Sequence, residues 1–354
     1  MLTIIAPYSV CEKTFIALRL ANLWRACGHD VQYLTYQRVD RNLNLDSYWD
    51  KKVKSYLNKR AYTEIEKSQS IIYFDSAHSF NLFPSKPFEK TQNIAIVDWH
   101  TLSEEKFFKY SLFDILVFQN KLAFNFNRDI FRVAKSNVKE LHCIPPITEF
   151  NLSDKKSGFI NYLNPHYCFY LEREAILRSG ESILFVIQEL LSKLNHIHIS
   201  LLHTRAWPTY LRQFLKKLSK DYSKRFTYSK VENVFHIFNQ FTLADWVILP
   251  QTRAESCFIT SIAFAAQTPV LCFDVEPFSS FVINNFNGIR IPTELIISEF
   301  GAPTAIFEMN KVIKIFLNNL LSENLLISLH KNQWGVREDS EYFKDDWNSV
   351  LKIA

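Results

Sequence analysis

Short apolar runs alternate along this chain with segments whose apolar residues fall at helical spacing, and that alternation restricts the fold more than any other feature. Leu2 to Ala6 is an apolar run and Pro7-Tyr8-Ser9 a turn; Phe15, Leu18, Ala21, Leu23 and Trp24 then recur on one helix face. Gly28 stands where a helix end favours the left-handed conformation, and Val31 to Tyr36 is the next run. A strand, helix and strand of this length join parallel neighbours, so a parallel sheet is predicted. Further strands are predicted at Ser70–Phe74, Asn93–Val97, Ile115–Phe118 and Leu141–Ile144, which makes residues 1–150 a doubly wound α/β domain.

Pro145-Pro146 and the polar stretch 151–158 interrupt the pattern as a linker would. A second series fills 151–335. Strands are predicted at Phe159–Leu163, His198–His203, Trp246–Leu249, Pro269–Phe273 and Gly288–Ile291, and helices at Ser182–Leu194, Tyr210–Leu218 and Phe258–Ala266. Residues 336–354 read as a C-terminal amphipathic helix carrying Tyr342, Phe343 and Trp347, which crosses back to the first domain. Two α/β halves place a ligand cleft between them, at the C-terminal ends of the strands.

Composition removes several classes. With 354 residues and 47% hydrophobic content the chain has the material for two cores, unlike a disordered chain. No stretch approaches the roughly 20 consecutive apolar residues of a membrane span. The N-terminus reads as a first strand rather than a leader peptide. Six scattered cysteines without a C-x-x-C pair suit a reducing, cytoplasmic setting, with a peripheral membrane position as the alternative. Only six glycines occur, so the Gly-rich phosphate loops of P-loop and dinucleotide-binding proteins are absent. The net charge of +5 weakly favours an anionic partner.

The most informative stretch is Ala244 to Leu271, where a buried strand runs into a short polar loop and a helix begins near Ser256. The free N–H groups at a helix start, here Ser256, Cys257 and Phe258, together with the positive end of the dipole, suit a phosphate. Arg253 adds a cation and Glu255 an acceptor for hydroxyls. In the competing reading Glu255 caps the helix and Arg253 pairs on the surface.

This stretch resembles the "aDvvvlPS…E…EA-A-G-PVv" segment of the large retaining family of nucleotide-sugar glycosyltransferases, glycosyl transferases group 1. Phe281 to Pro292 resembles its "E-i-dg-nG-lv-p", and Leu20 to Val31 its "LA-L---GHeV". The resemblance implies an α/β fold of two Rossmann-like domains facing a central cleft, called GT-B. It implies transfer of a sugar from a nucleotide diphosphate donor to a hydroxyl, with retention and without a further cofactor. His100, after the Asn93–Val97 strand and beside Asp98, matches a histidine that faces the donor sugar, and Glu255 shares the catalytic role. Arg173, Arg178 and Lys13, with Arg205 as substitute, are candidates to neutralise the donor's phosphates.

Three positions depart from the pattern: Ala263 stands where the ribose-binding glutamate is usual, Pro7 to Thr14 lacks the usual glycine pair, and Gln267 replaces a glycine. These departures also admit a noncatalytic protein that binds nucleotide sugars. No metal is expected. His196, His198 and His203 read as strand-surface residues, and Asp274 with Glu276 is an isolated acid pair. Basic residues at Arg212, Lys216 and Lys220 read as a solvated helix face. Lys51, Lys52, Lys54, Lys59 and Arg60 are interleaved with aromatics, and Trp49, Lys52 and Tyr56 are the acceptor-site candidates. The expected acceptor is a glycan or lipid-linked glycan; DNA bearing a hydroxylated base is the alternative, because phage DNA glucosyltransferases share the two-domain plan.

Overall fold

In a computed structural model the chain divides into two compact units, one of Met1–Ile147, Ile297–Ala302 and Asp339–Ala354, the other of Thr148–Ile296 and Pro303–Glu338. The structure describes residues 1–7, 12–35, 54–55, 65, 67–74, 91–97, 99, 102–133, 138–143, 164–204, 206–253, 258–297, 302–320, 329, 347 and 349–351.

The first unit is built on seven parallel strands: β1 (Leu2–Ile5), β2 (Val31–Thr35), β3 (Lys54–Ser55), β4 (Ser70–Tyr73), β5 (Gln92–Ile96), β6 (Ile115–Phe118) and β7 (Glu140–Cys143). They lie in the order β3-β2-β1-β4-β5-β6-β7, so the winding reverses between β1 and β4. Every residue of β1, β4 and β6 is buried, as it must be in a sheet covered on both faces. The covering helices include α1 (Glu12–Ala26), α2 (Glu104–Tyr110) and α3 (Lys121–Val133). At the end of α1, Gly28 has φ +86°, its N–H donates to the Arg25 carbonyl and the next N–H, of His29, to that of Trp24. That pair of bonds closes the helix and demands the left-handed residue the sequence supplies. Near the C-terminus, the Trp347 ring meets Trp24 edge-on at 5.4 Å, and the Gln92 amide donates to the Val350 carbonyl.

The second unit repeats the plan. Its strands β8 (His166–Leu171), β9 (His198–His203), β10 (Phe226–Lys230), β11 (Trp246–Leu249), β12 (Val270–Phe273) and β13 (Gly288–Ile291) are all parallel, in the order β10-β9-β8-β11-β12-β13. Here the reversal falls between β8 and β11. The helices are α4 (Arg173–Lys193), α5 (Thr209–Asp221), α6 (Val234–Leu243), α7 (Phe258–Ala265), α8 (Phe278–Phe281) and α9 (Met309–Leu320). Two short strands, β14 (Glu294–Ile297) and β15 (Pro303–Ile306), pair with each other.

Several boundaries differ from the sequence expectation. The strand expected at Phe159–Leu163 lies outside the described residues; the first strand described in the unit follows Pro165. The helix expected from Ser182 starts at Arg173 and runs through Gly180. That glycine is not a break: a Cβ there would sit 3.1 Å from the Trp207 ring and 3.2 Å from Leu211, so its absence lets α4 lie close to these side chains. β10 escaped prediction because Phe-Thr-Tyr-Ser-Lys is an edge strand with mostly exposed side chains. Cys168 and Cys272 are buried, and burial pushes the Cys168 thiol up to about 12 against the opposing hydrogen bond with Ser200.

Candidate functional site

The order of the second sheet sets β8 and β11 side by side with their chains leaving in opposite directions, and ligands of doubly wound sheets collect outside such strand ends. From β8 the chain enters α4 at Arg173. Its N-cap, Glu172, makes no side-chain capping bond to the helix. From β11 it passes through Pro250, Gln251, Thr252 and Arg253 before α7 opens at Phe258. Two helix starts, each carrying partial positive charge, therefore follow two neighbouring strands.

Gln251 ties these strands together. Its Nε2 donates to the Tyr170 carbonyl on β8 at 3.1 Å, and because a carbonyl only accepts, the amide orientation is fixed. The side chain is 4% exposed, and its Oε1, turned the other way, is buried without a hydrogen-bond partner. Buried acceptors are normally satisfied, so this one stands out at the strand switch. Beyond it the loop is clamped to β15: the Ala305 N–H donates to the Thr252 carbonyl at 2.9 Å, and Arg253 Nε donates to Thr304 Oγ1. Arg253 is half-buried, which positions its guanidinium on a fixed loop.

Of the residues singled out in the sequence, the fold gathers Arg253, the start of α7 at Phe258 and the start of α4 at Arg173 at these strand ends. The Phe258 side chain is buried, so its contribution there is its backbone. Arg178 is exposed in the second turn of α4. Lys13 belongs to the first unit, in the first turn of α1; just before that helix, the Pro7 carbonyl accepts from Thr14 and Tyr33 at 2.8 and 2.6 Å. His100, Glu255, Ser256, Cys257, Trp49, Lys52, Tyr56, Asp98 and Arg205 lie outside the described residues.

Asp274 pairs with Arg290 at 3.2 Å, and Glu276 accepts from Ser280 at 2.8 Å. His203 is buried beside Trp207 and Tyr228 rather than at the surface, whereas His196 and His198 are exposed. Among the described residues no group of three His, Cys, Asp or Glu side chains can hold a metal.

Two features escaped the sequence reading. Gln251, where the family pattern has Ser, shows its role only through the β8–β11 pairing. Asp245 is the aspartate of the "aDvvvlP" pattern, yet it stands at the opposite end of β11. Its Oδ2 accepts the His166 N–H at 2.8 Å and its own N–H donates to the His166 carbonyl at 2.8 Å, pinning the start of β11 to the start of β8. Ala263, the position of the missing glutamate, is fully buried in α7.

No protein-family profile and no curated protein sequence matches the chain. Solved structures do. HepE of Anabaena, determined with UDP-glucose, has a TM-score of 0.68 at 9% identity, with 99% of each chain covered. WaaG, a glycosyltransferase involved in lipopolysaccharide biosynthesis, has a TM-score of 0.66 at 9% identity, with 100% of each chain covered. The pneumococcal O-GlcNAc transferase GtfA, determined with UDP and GlcNAc, has a TM-score of 0.60 at 12% identity; the match covers 83% of this chain and 59% of that one. The two α/β units thus have the GT-B fold of these glycosyltransferases.

Proposed function

We propose that the chain is a glycosyltransferase that moves a sugar from a nucleoside diphosphate sugar to an acceptor hydroxyl. The observation that carries this reading is the junction of β8 and β11, where Gln251 leaves a buried acceptor unfilled between two helix N-termini and Arg253 is held by the neighbouring strand. Helix starts and a guanidinium suit a diphosphate, and a lone carbonyl oxygen suits the hydroxyl and N–H donors of a nucleoside. UDP and UDP-glucose in structures of the same fold support this choice of ligand.

In the reaction the bond from the anomeric carbon to the phosphate oxygen breaks and the acceptor oxygen bonds to that carbon. The acceptor proton passes to the departing diphosphate. Charge develops on that diphosphate, and preorganised N–H groups and Arg253 stabilise it without moving. We take the anomeric configuration to be retained, the metal to be dispensable and the acceptor to be a glycan or lipid-linked glycan.

The test is a panel of nucleoside diphosphate sugars, with hydrolysis and transfer followed in EDTA and in added Mn²⁺. Release of nucleoside diphosphate from one donor, undiminished by EDTA, is expected. Absence of turnover with every donor, alongside retained UDP or GDP binding, would establish a noncatalytic binding protein instead.

A further inference from the structure

Residues 206–230 hold seven Lys and Arg and one acid, Asp221, a net of +6 that by itself exceeds the +5 of the whole chain. Most of that charge sits on helix α5. Its Leu211, Leu215 and Leu218 are buried, and Phe214 meets Phe185 of α4 edge-on at 5.2 Å. At about 100° per residue, the side turned away from these carries Arg212, Lys216, Lys217 and Lys220 together with Thr209, Gln213 and Ser219. That arc, about 160° wide, contains neither an apolar residue nor an acid. Asp221 falls beside Lys217, about 100° or more around the axis from Arg212, Lys216 and Lys220. All four cations are exposed, and among the described residues none is in an ion pair; Arg212 donates to the Trp207 carbonyl at 3.1 Å. The adjoining strand β10 is a sheet edge, and Lys224 just before it and Lys230 at its end are exposed too. Arg225 is instead committed to the Leu191 and Leu194 carbonyls.

Arg212, Lys216 and Lys220 follow one another at about 6 Å along the axis, so three uncompensated charges repel across about 12 Å of helix. A partner of opposite charge relieves that repulsion. A helix lying in a bilayer interface needs an apolar stripe beside its cations, and a protein interface an apolar centre; this arc has neither. Nucleic-acid backbones are held by Lys and Arg with Ser, Thr and Gln as further donors to phosphate oxygens, and those are the residue types on the arc.

We infer that the outer face of α5 is a docking surface for the phosphate backbone of duplex nucleic acid, with Arg212, Lys216, Lys217 and Lys220 each meeting a phosphate. Contacts of this kind set position without reading bases, so the binding carries no sequence preference. The inference is independent of the donor-site reading, because it uses none of the residues at the ends of β8 and β11.

The experiment is fluorescence anisotropy of the full chain with labelled DNA duplexes of about 20 base pairs and unrelated sequences, at rising salt. Binding at low salt with equal affinity for each duplex is expected. Four phosphate contacts at about 0.9 each give a log–log salt slope of about −3 to −4, so affinity should fall about a hundredfold between about 50 and about 200 mM salt. Lys216→Glu with Lys220→Glu changes only exposed side chains; it should lower affinity at least about tenfold and flatten the slope by about 2, with the melting temperature unchanged. Lys311→Glu with Lys314→Glu on α9 makes the same change in net charge away from α5 and should leave affinity within about threefold. No binding to duplex DNA, binding that the α5 variant leaves intact, or equal losses in both variants overturns the inference. Binding to phosphatidylglycerol vesicles and not to DNA, lost in the α5 variant, would also overturn it and make the face a lipid contact.

Discussion

Gly288→Ala is a severe test of how the second unit is packed, because the space is measured and the group in the way is backbone. A Cβ on Gly288 would lie 2.1 Å from the Val270 carbonyl oxygen, 3.1 Å from its carbon and 2.8 Å from Val282 Cγ1. The carbonyl belongs to β12, whose Val270 pairs in register with Gly288 on β13, so no side-chain rotation relieves the clash. Relief needs β13 to move by about 1 Å or more to reach ordinary contact. That movement lengthens the bond from the Val270 N–H to the Asn287 carbonyl, already 3.2 Å. Overpacking of this kind costs about 1–3 kcal/mol and the lost bond about 1 more, together about 2–4 kcal/mol. The folding equilibrium of the unit would shift roughly thirty- to several-hundredfold. Because two units need not unfold together, hydrogen exchange of the β12 and β13 amides is a sharper readout than a single denaturation midpoint. Unchanged protection of those amides in Gly288→Ala would refute the packing argument, and with it the reason that a glycine occupies this position in the family pattern.

Arg253→Ala should weaken UDP or GDP affinity in calorimetry by about 1.5–3 kcal/mol, the scale of a charge-assisted hydrogen bond; equal affinity for both nucleotides before and after would remove it from the site. Gln267 has φ +55° in the closing turn of α7, where its N–H donates to the Phe264 carbonyl and that of Thr268 to the Ala263 carbonyl. Gln267→Gly should therefore stabilise the unit by about 0.5–1 kcal/mol, and a lowered melting temperature would count against that geometry. Burial tends to raise the Asp114 carboxyl, but hydrogen bonds from Lys139 and from the Asn93 backbone outweigh it and hold the group below its ordinary range. Its contribution to stability is thus present at neutral pH and lost as pH falls through the depressed value. Asp114→Asn should flatten the acid limb of a stability–pH curve, and an unaltered limb would contradict this.

The strands legible in the sequence were those buried on both faces. Ile115–Phe118, Trp246–Leu249 and Val270–Phe273 are uninterrupted apolar runs, and Leu2–Ile5 is broken only by the buried Thr3, because helices cover both sides of the sheet; such runs need no partner to be recognised. Edge and polar strands such as Phe226–Lys230 depend on register with a neighbour, which one sequence does not display. Gly180 is a related case: its meaning lies in Trp207 and Leu211, more than twenty residues away, and so is not displayed by the local sequence.

The site was legible as a segment but not as a set of side chains, and Asp245 shows why. It is among the residues that most resemble the family pattern, so resemblance alone would draw it toward the ligand. Yet it precedes β11, and the four residues of that strand, at about 3.3 Å each, put it roughly 13 Å from the end where Gln251 and Arg253 stand. What it contacts is the His166 backbone, and the bond closes the base of the strand pair whose opposite end carries the candidate site. Its recurrence in a pattern then follows from strand alignment: a slip of β11 against β8 would misplace Gln251 relative to Tyr170. Asp245→Ala leaves the half-buried His166 N–H without this acceptor and should cost about 1–3 kcal/mol of stability. UDP affinity of the folded fraction, measured by calorimetry well below the melting temperature, should stay within about twofold of the parent, since no ligand group reaches this end of the strand. A large loss of affinity with unchanged stability would place Asp245 in the binding site and overturn the assignment of ligand binding to the C-terminal ends of β8 and β11.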